Sequence, residues 1–258
     1  MINSLKIFYK YKYLIYVLVD RDIKKKYRRS ILGVLWSLLN PLLMMLITAM
    51  VFSTLFRFDV ENYILYLLIG QVAFSFYSEA TNFAMGSILE NSSLIKKVYV
   101  PRYLFPMSRV ASSCVNLLFT IPAVLFMMCY TGQYPTIDVL SFAVPLILFL
   151  IFALGVGLIL SAAVVYFRDV FHLYSVLITA LNYATPIFYP EKIVPEEYRF
   201  LMEYNPIYYF VKGFREVLYS GGLPSMDNTI ICAEIATIAL ILGIIIFRKA
   251  QKKFILYI

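Results

Sequence analysis

Charge is scarce in this chain. Asp, Glu, Lys and Arg supply 15% of its 258 residues, against about 25% in an ordinary soluble domain. Too little polar surface is available to cover a water-soluble body of this size. Histidine occurs once and tryptophan once. There is no H-E-x-x-H, no G-x-S-x-G and no G-x-x-x-x-G-K-[ST], so zinc-protease, serine-hydrolase and phosphate-loop chemistry are not expected. Asp169 and His172 form the one close acid–histidine pair, and no nucleophile accompanies them. No catalytic residue, metal site or cofactor is expected on this chain. The three cysteines, Cys114, Cys129 and Cys232, are odd in number and lie in apolar stretches without metal-ligand spacing; they read as small core residues. No cleavable signal peptide is expected, because the first apolar run, Tyr13 to Val19, is short and charges follow it.

Apolar residues are what the chain has. They make up 62% of it. A helix needs roughly 20 mainly apolar residues to cross a bilayer core. Six segments meet that pattern: Ser30–Phe56, Asn62–Leu89, Val110–Ile137 with an earlier start near Tyr103, Val139–Phe167, Val170–Pro190 and Thr229–Phe247. The expected fold is therefore all-α and integral to a membrane, with six transmembrane helices in one domain, residues 1–258. Residues 1–29 form an interfacial segment, 30–247 hold the spans, and 248–258 are a tail.

The cations give orientation. With the N-terminus cytoplasmic, the inside segments hold eighteen of the 23 Lys and Arg, a strong positive-inside bias. Both termini are then cytoplasmic. The net charge of +8 does not point to nucleic acid, since there is little solvated face over which to spread it. Six cations crowd into Arg21–Arg29, directly before the first uncharged run. Leu14, Leu18, Arg21, Lys25 and Arg28 recur at helical spacing, which fits an amphipathic helix among lipid headgroups. Simple anchoring to anionic lipid is the plainer account of the same cations.

Polar residues inside the spans fall on stripes. Gln71, Ser75, Ser78, Glu79 and Asn82 share one face of the second span; Ser108, Ser112, Asn116 and Thr120 one face of the third; His172, Ser175, Thr179 and Asn182 one face of the fifth. Such groups need partners in hydrocarbon. Helix–helix packing through small and hydroxyl residues and a water-filled path both supply them. If they line a path, the candidates are Asn40, Ser75, Glu79, Asn182, Tyr183 and Tyr189.

Two connecting segments stand out. In 185–225 the prolines Pro186, Pro190, Pro195 and Pro206 break any continuous helix. Two short amphipathic pieces remain, around Glu196–Tyr204 and Ile207–Tyr219, and read as re-entrant or interfacial helices. Eleven aromatics between Tyr183 and Tyr219 suit either an interfacial belt or a surface for sugar rings. In "ILENSSLIKKVYVPR", residues 88–102, Asn91, Ser92 and Ser93 offer an N-cap. Leu94, Ile95 and Val98 offer an apolar face, and Pro101 ends the piece. A short helix with an exposed apolar face is a docking element; a loop lying on the membrane is the alternative.

Four blocks, "YRRSILGVLWSLLNPLL", "NSSLIKKVYVPR", "YFRDV" and "PIFYP" with "YNPIYYF", together resemble the membrane subunit of type-2 ATP-binding cassette exporters, in the polysaccharide branch of O-antigen and teichoic acid permeases. The resemblance covers nearly the whole chain. It implies a homodimer in the bacterial cytoplasmic membrane, bound to two copies of a separate ATPase subunit that carries ATP and Mg. Leu94, Ile95, Lys96, Lys97, Val98 and Pro101 would form the coupling helix on that ATPase. Arg28, Arg29 and Trp36 would meet the diphosphate of an undecaprenyl-linked glycan. An exporter of a smaller solute or lipid is the nearest alternative. A membrane-embedded transferase is the alternative of another class, and the lack of clustered acids and histidines argues against it.

Overall fold

The computed structural model describes residues 2–28, 30–55 and 60–257, with the backbone alone for 2–10 and 53–55. Arg29 lies outside the described residues. Every regular element among them is helical. In chain order these are α1 (Ile2–Tyr27), α2 (Leu35–Leu55), α3 (Tyr63–Glu90), α4 (Ser92–Lys97), α5 (Leu104–Tyr130), α6 (Ala143–Tyr166), α7 (Val170–Ala184), α8 (Phe200–Glu203), α9 (Pro206–Leu218) and α10 (Met226–Ala250), with single 3₁₀ turns between several of them.

Four stretches are long and apolar enough to cross a membrane: Leu35–Phe52, Leu104–Tyr130, Ile137–Tyr166 and Met226–Leu256. The other two expected spans form helices but fall outside that set. α3 has 28 residues, about 42 Å of helix, so length is not its shortfall. It carries the stripe of Gln71, Ser75, Ser78, Glu79 and Asn82. α7 has 15 residues, about 22 Å, and stops before Pro186.

α3 is the hub. Eighteen of its residues are buried. On one side an aromatic stack carries the core: Tyr77 and Phe149 lie 5.7 Å apart, Phe149 and Phe210 4.7 Å, and Phe152 and Phe210 5.0 Å. α6 approaches α3 closely at Gly157, where a Cβ would meet the Ala84 Cβ at 2.7 Å. α6 and α10 pack backbone to backbone. A Cβ on Gly155 would meet the Ala239 carbonyl carbon at 2.4 Å, and one on Gly243 would meet the Gly155 oxygen at 2.4 Å. Small residues at such a crossing are the usual means of close packing in lipid.

The break after α7 follows from the prolines. Residues 185–190 have no helical ladder, so their carbonyls need other donors. Tyr63 donates to the Phe188 oxygen at 2.6 Å. Tyr66 donates to Pro186 at 3.2 Å and Tyr189 at 3.1 Å. The buried Arg215 guanidinium donates to Pro186 at 2.8 Å and Ile187 at 3.3 Å, and lies 3.5 Å from the centre of the Tyr66 ring. Protein donors thus satisfy the carbonyls that the missing ladder leaves open. Gly70 makes room, since a Cβ there would approach the Arg215 Nη2 to 2.8 Å. The two short pieces expected after the break are present as α8 and α9. Asn205 caps α9 by accepting from the Ile207 N–H at 3.0 Å, with Pro206 at the first turn. Tyr208 donates to Glu191 at 2.9 Å. Burial, and then the charge of Glu191, push its phenol well above the ordinary range.

Three local expectations need correction. Cys129, expected in the core, is exposed. Asn91, Ser92 and Ser93 make no side-chain cap on α4; the Asn91 amide instead donates back to the Ser87 oxygen at 2.7 Å. Ile95 is not exposed. It is buried with Leu18, Ile88, Phe105, Phe247 and Phe254, and Leu94 packs against the same cluster. The cause is the end of α3: the chain turns at Asn91, and α4 folds its apolar side back under the bundle. The outward residues are Lys96, Lys97, Val98 and Tyr99.

Candidate functional site

α1 is amphipathic as expected. Leu14 and Leu18 face the core, while Tyr13 and Tyr16 face out. Its basic end is tied down by ions. Asp22 is buried between Arg21 at 3.1 Å and Arg109 at 3.2 Å, and Arg109 reaches Glu90 at 2.6 Å. Arg21 also donates to the Asn91 oxygen at 3.0 Å. Thus α1, the α3–α4 junction and α5 meet in one polar knot. Buried charges need such pairing.

Beyond this knot a cavity of about 760 Å³ opens, bounded by the end of α1 and by α2, α3, α5 and α7. α3 contributes its whole polar stripe, Gln71, Ser75, Ser78, Glu79 and Asn82. From Gln71 to Asn82 this is about 16 Å of helix, half the thickness of a bilayer core. α2 adds Trp36, Asn40 and Thr48; α5 adds Ser113, Asn116 and Thr120; α7 adds Thr179, Asn182 and Tyr183. Of the candidate lining residues, Asn40, Ser75, Glu79, Asn182 and Tyr183 therefore share one cavity. Tyr189 is not in its wall; it donates to the Tyr183 oxygen at 2.7 Å and sits in the break after α7. Trp36 lines the cavity, and Arg28 is exposed outside its wall.

The cation in the wall is Lys26, which the sequence did not single out. Its Nζ lies 2.9 Å from Glu79 Oε1 and 3.1 Å from Oε2. Asn116 donates to the same Oε1 at 2.5 Å, and Tyr27 donates to the Asn116 oxygen at 3.4 Å. The Lys26 and Glu79 side chains keep 37% and 25% of their exposure. A pair this wet is worth on the order of 1 kcal/mol or less. An incoming anion can exchange for it at little cost. Higher in the cavity, Gln71 donates to Thr48 Oγ1 at 2.8 Å. The Gln71 carbonyl oxygen and the Ser113 hydroxyl are buried and have no hydrogen-bond partner among the described residues.

The wall offers amides, hydroxyls and aromatic rings, with one weak ion pair. Among the described residues no group of three or more His, Cys, Asp or Glu could hold a metal. The amides, hydroxyls and rings of the wall can hydrogen-bond and stack against a hydroxyl-rich ligand.

Residues 13–219 match the model of the ABC-2 type transporter family. The chain belongs to that family. It is 30% identical over 256 residues to the O-antigen export system permease protein RfbA of Klebsiella pneumoniae, covering 97% of this chain and 98% of that one. To the protein of the same name from Myxococcus xanthus it is 29% identical, with 98% of both chains covered. It is 23% identical over 239 residues to the polysialic acid transport protein KpsM of Escherichia coli, with 90% of this chain and 91% of that one covered. Membership of a transporter family and the four apolar spans together make this a multi-pass membrane protein.

Proposed function

We propose that this ABC-2 chain is the permease half of an exporter for a lipid-linked polysaccharide. The observation that carries the reading is the cavity: a polar stripe half a bilayer long, faced by amides, hydroxyls and aromatic rings. Relatives named for O-antigen and polysialic acid export support the glycan as cargo. Two copies would close their cavities on each other, and two ATPase subunits would drive the cycle from the cytoplasm. α2, α3, α5, α6, α7 and α10 would span, α3 because its polar face looks into the path and α7 because residues 185–190 extend it. α8 and α9 would be re-entrant. α9 has 13 residues, about 20 Å, short of a crossing. Both termini would be cytoplasmic.

α4 would couple to the ATPase through Lys96, Lys97, Val98 and Tyr99. Leu94, Ile95 and Pro101 would hold it in place. Arg28, Arg29 and Trp36 would receive the diphosphate headgroup beside Lys26.

The test is ATP-dependent movement of an undecaprenyl diphosphate-linked glycan into inside-out vesicles holding this chain and its co-expressed ATPase. Movement that requires both chains is the expected result. ATP-driven movement of a small solute, with none of the glycan, would overturn the reading.

A further inference from the structure

A second recess lies away from the cavity, on the α6–α10 side. Its volume is about 990 Å³, and α4, the 98–103 loop, α6, α10 and the turn after α10 line it. One end is ringed by Lys96, Lys97, Arg102, Arg248 and Lys252. No acid is in the wall, and none of these five cations has an ion pair among the described residues. The other end is aliphatic, made by Leu154 and Leu158 of α6 and by Leu240 and Ile244 of α10. Arg102 donates to the Gln251 oxygen, which fastens the loop across the recess.

The charge and the length point to one occupant. From Leu240 on α10 to Gln251 at the start of the turn that follows it, the wall runs about 16 Å at roughly 1.5 Å per residue. One leaflet of hydrocarbon is about 15 Å thick. A cluster of unpaired cations at the membrane surface needs an anion, and an aliphatic groove one leaflet deep needs a chain. Basic pockets between transmembrane helices suit anionic lipid headgroups. We propose that this recess binds an anionic phospholipid, with its phosphate among Arg102, Arg248 and Lys252 and an acyl chain along α6 and α10. The site rests on the membrane-spanning reading of α6 and α10 and does not depend on which cargo is exported. Bound there, the lipid would fasten α4 and the 98–103 loop to α10.

The experiment is native mass spectrometry of the permease–ATPase complex in detergent, titrated with phosphatidylglycerol or phosphatidylcholine of equal chain length. The wild type should retain phosphatidylglycerol at least several-fold better. Arg248→Gln with Lys252→Gln should abolish most of that preference. Lys249→Gln with Lys253→Gln removes the same charge from the same stretch, outside the recess, and should keep it. Ile244→Trp fills the aliphatic end and should lower retention of both lipids. Equal loss in the two charge variants would mean general attraction to a basic surface and would overturn the site. Full retention in Arg248→Gln/Lys252→Gln, the result if the ATPase covers the recess instead, would overturn it too. Retention is read without transport, so failure here leaves the proposed export activity untouched.

Discussion

The α6–α10 pair and the α2–α7 side of the molecule are built on opposite plans. Where α6 meets α10 the backbones touch at Gly155, Ala239 and Gly243, and eleven α6 residues are buried. On the other side, α7 buries only Tyr174, and α2 leaves Leu43, Met44, Leu46, Ile47 and Met50 exposed. The polar stripe of α3 opens toward that side. The α6–α10 seam is closed within a single chain, although α10 leaves Ile238, Ile241 and Leu242 exposed. The other side presents apolar flanks around a polar cavity.

Damage to the α6–α10 seam should be largest. Gly155→Leu puts a side chain where the Ala239 backbone sits. Overpacking usually costs about 1–3 kcal/mol, and here backbone has to move, so the cost should reach about 3 kcal/mol or more. Thermal melting in detergent should show a large loss or no folded protein. Wild-type melting would mean the α6–α10 contact is looser than described.

Next comes the knot that joins α1 to the α3–α4 junction and α5. Asp22→Asn leaves Arg109 and Arg21 short of a carboxylate in a site where the Asp22 side chain is 4% exposed. Removing one partner of a buried pair costs about 3–5 kcal/mol. Part of that is offset here because Arg109 keeps Glu90. Stability should fall by about 2–3 kcal/mol, and mild proteolysis should release α1 first. Release of α10 before α1 would contradict the placement of the knot.

The open side should respond in function more than in stability. Glu79→Gln removes a half-wet ion pair, so melting should shift by less than about 1 kcal/mol. Export should nonetheless fall several-fold, because Lys26 is left without its counter-ion and Asn116 without its charged acceptor. ATP hydrolysis at equal complex level separates the two effects. A large stability loss with normal export per folded complex would make Glu79 a packing residue.

The helices were legible because apolar runs and charge breaks mark them directly. Each of the six expected spans has its helix, and Pro186 and Pro190 announced the break after α7. Finer facts depended on helix phase and on distant partners. In a run of six cations, the rotation of α1 puts Lys26 in the cavity wall, while Arg28 lies past the helix end and outside it. Ile95 and Val98 are three residues apart and looked like one face. The turn at Asn91 sent the first inward and left the second, beyond the end of α4, outside. The link from Asp22 to Arg109 and Glu90 joins residues far apart in sequence, and no local pattern marks it. By contrast, the α3 stripe was visible at spacings of three and four. What it faced was not, since packing and a water path share that signature.

That question has a direct test. Ser75 on α3 and Ile241 on α10 are both exposed on the single chain, but one should face water and the other lipid. After replacing Cys114, Cys129 and Cys232, a single cysteine is placed at either position in the native membrane complex and treated with a water-soluble maleimide. Ser75→Cys should label readily, and Ile241→Cys should not. Labelling at Ile241 with none at Ser75 would contradict a water-filled path along α3.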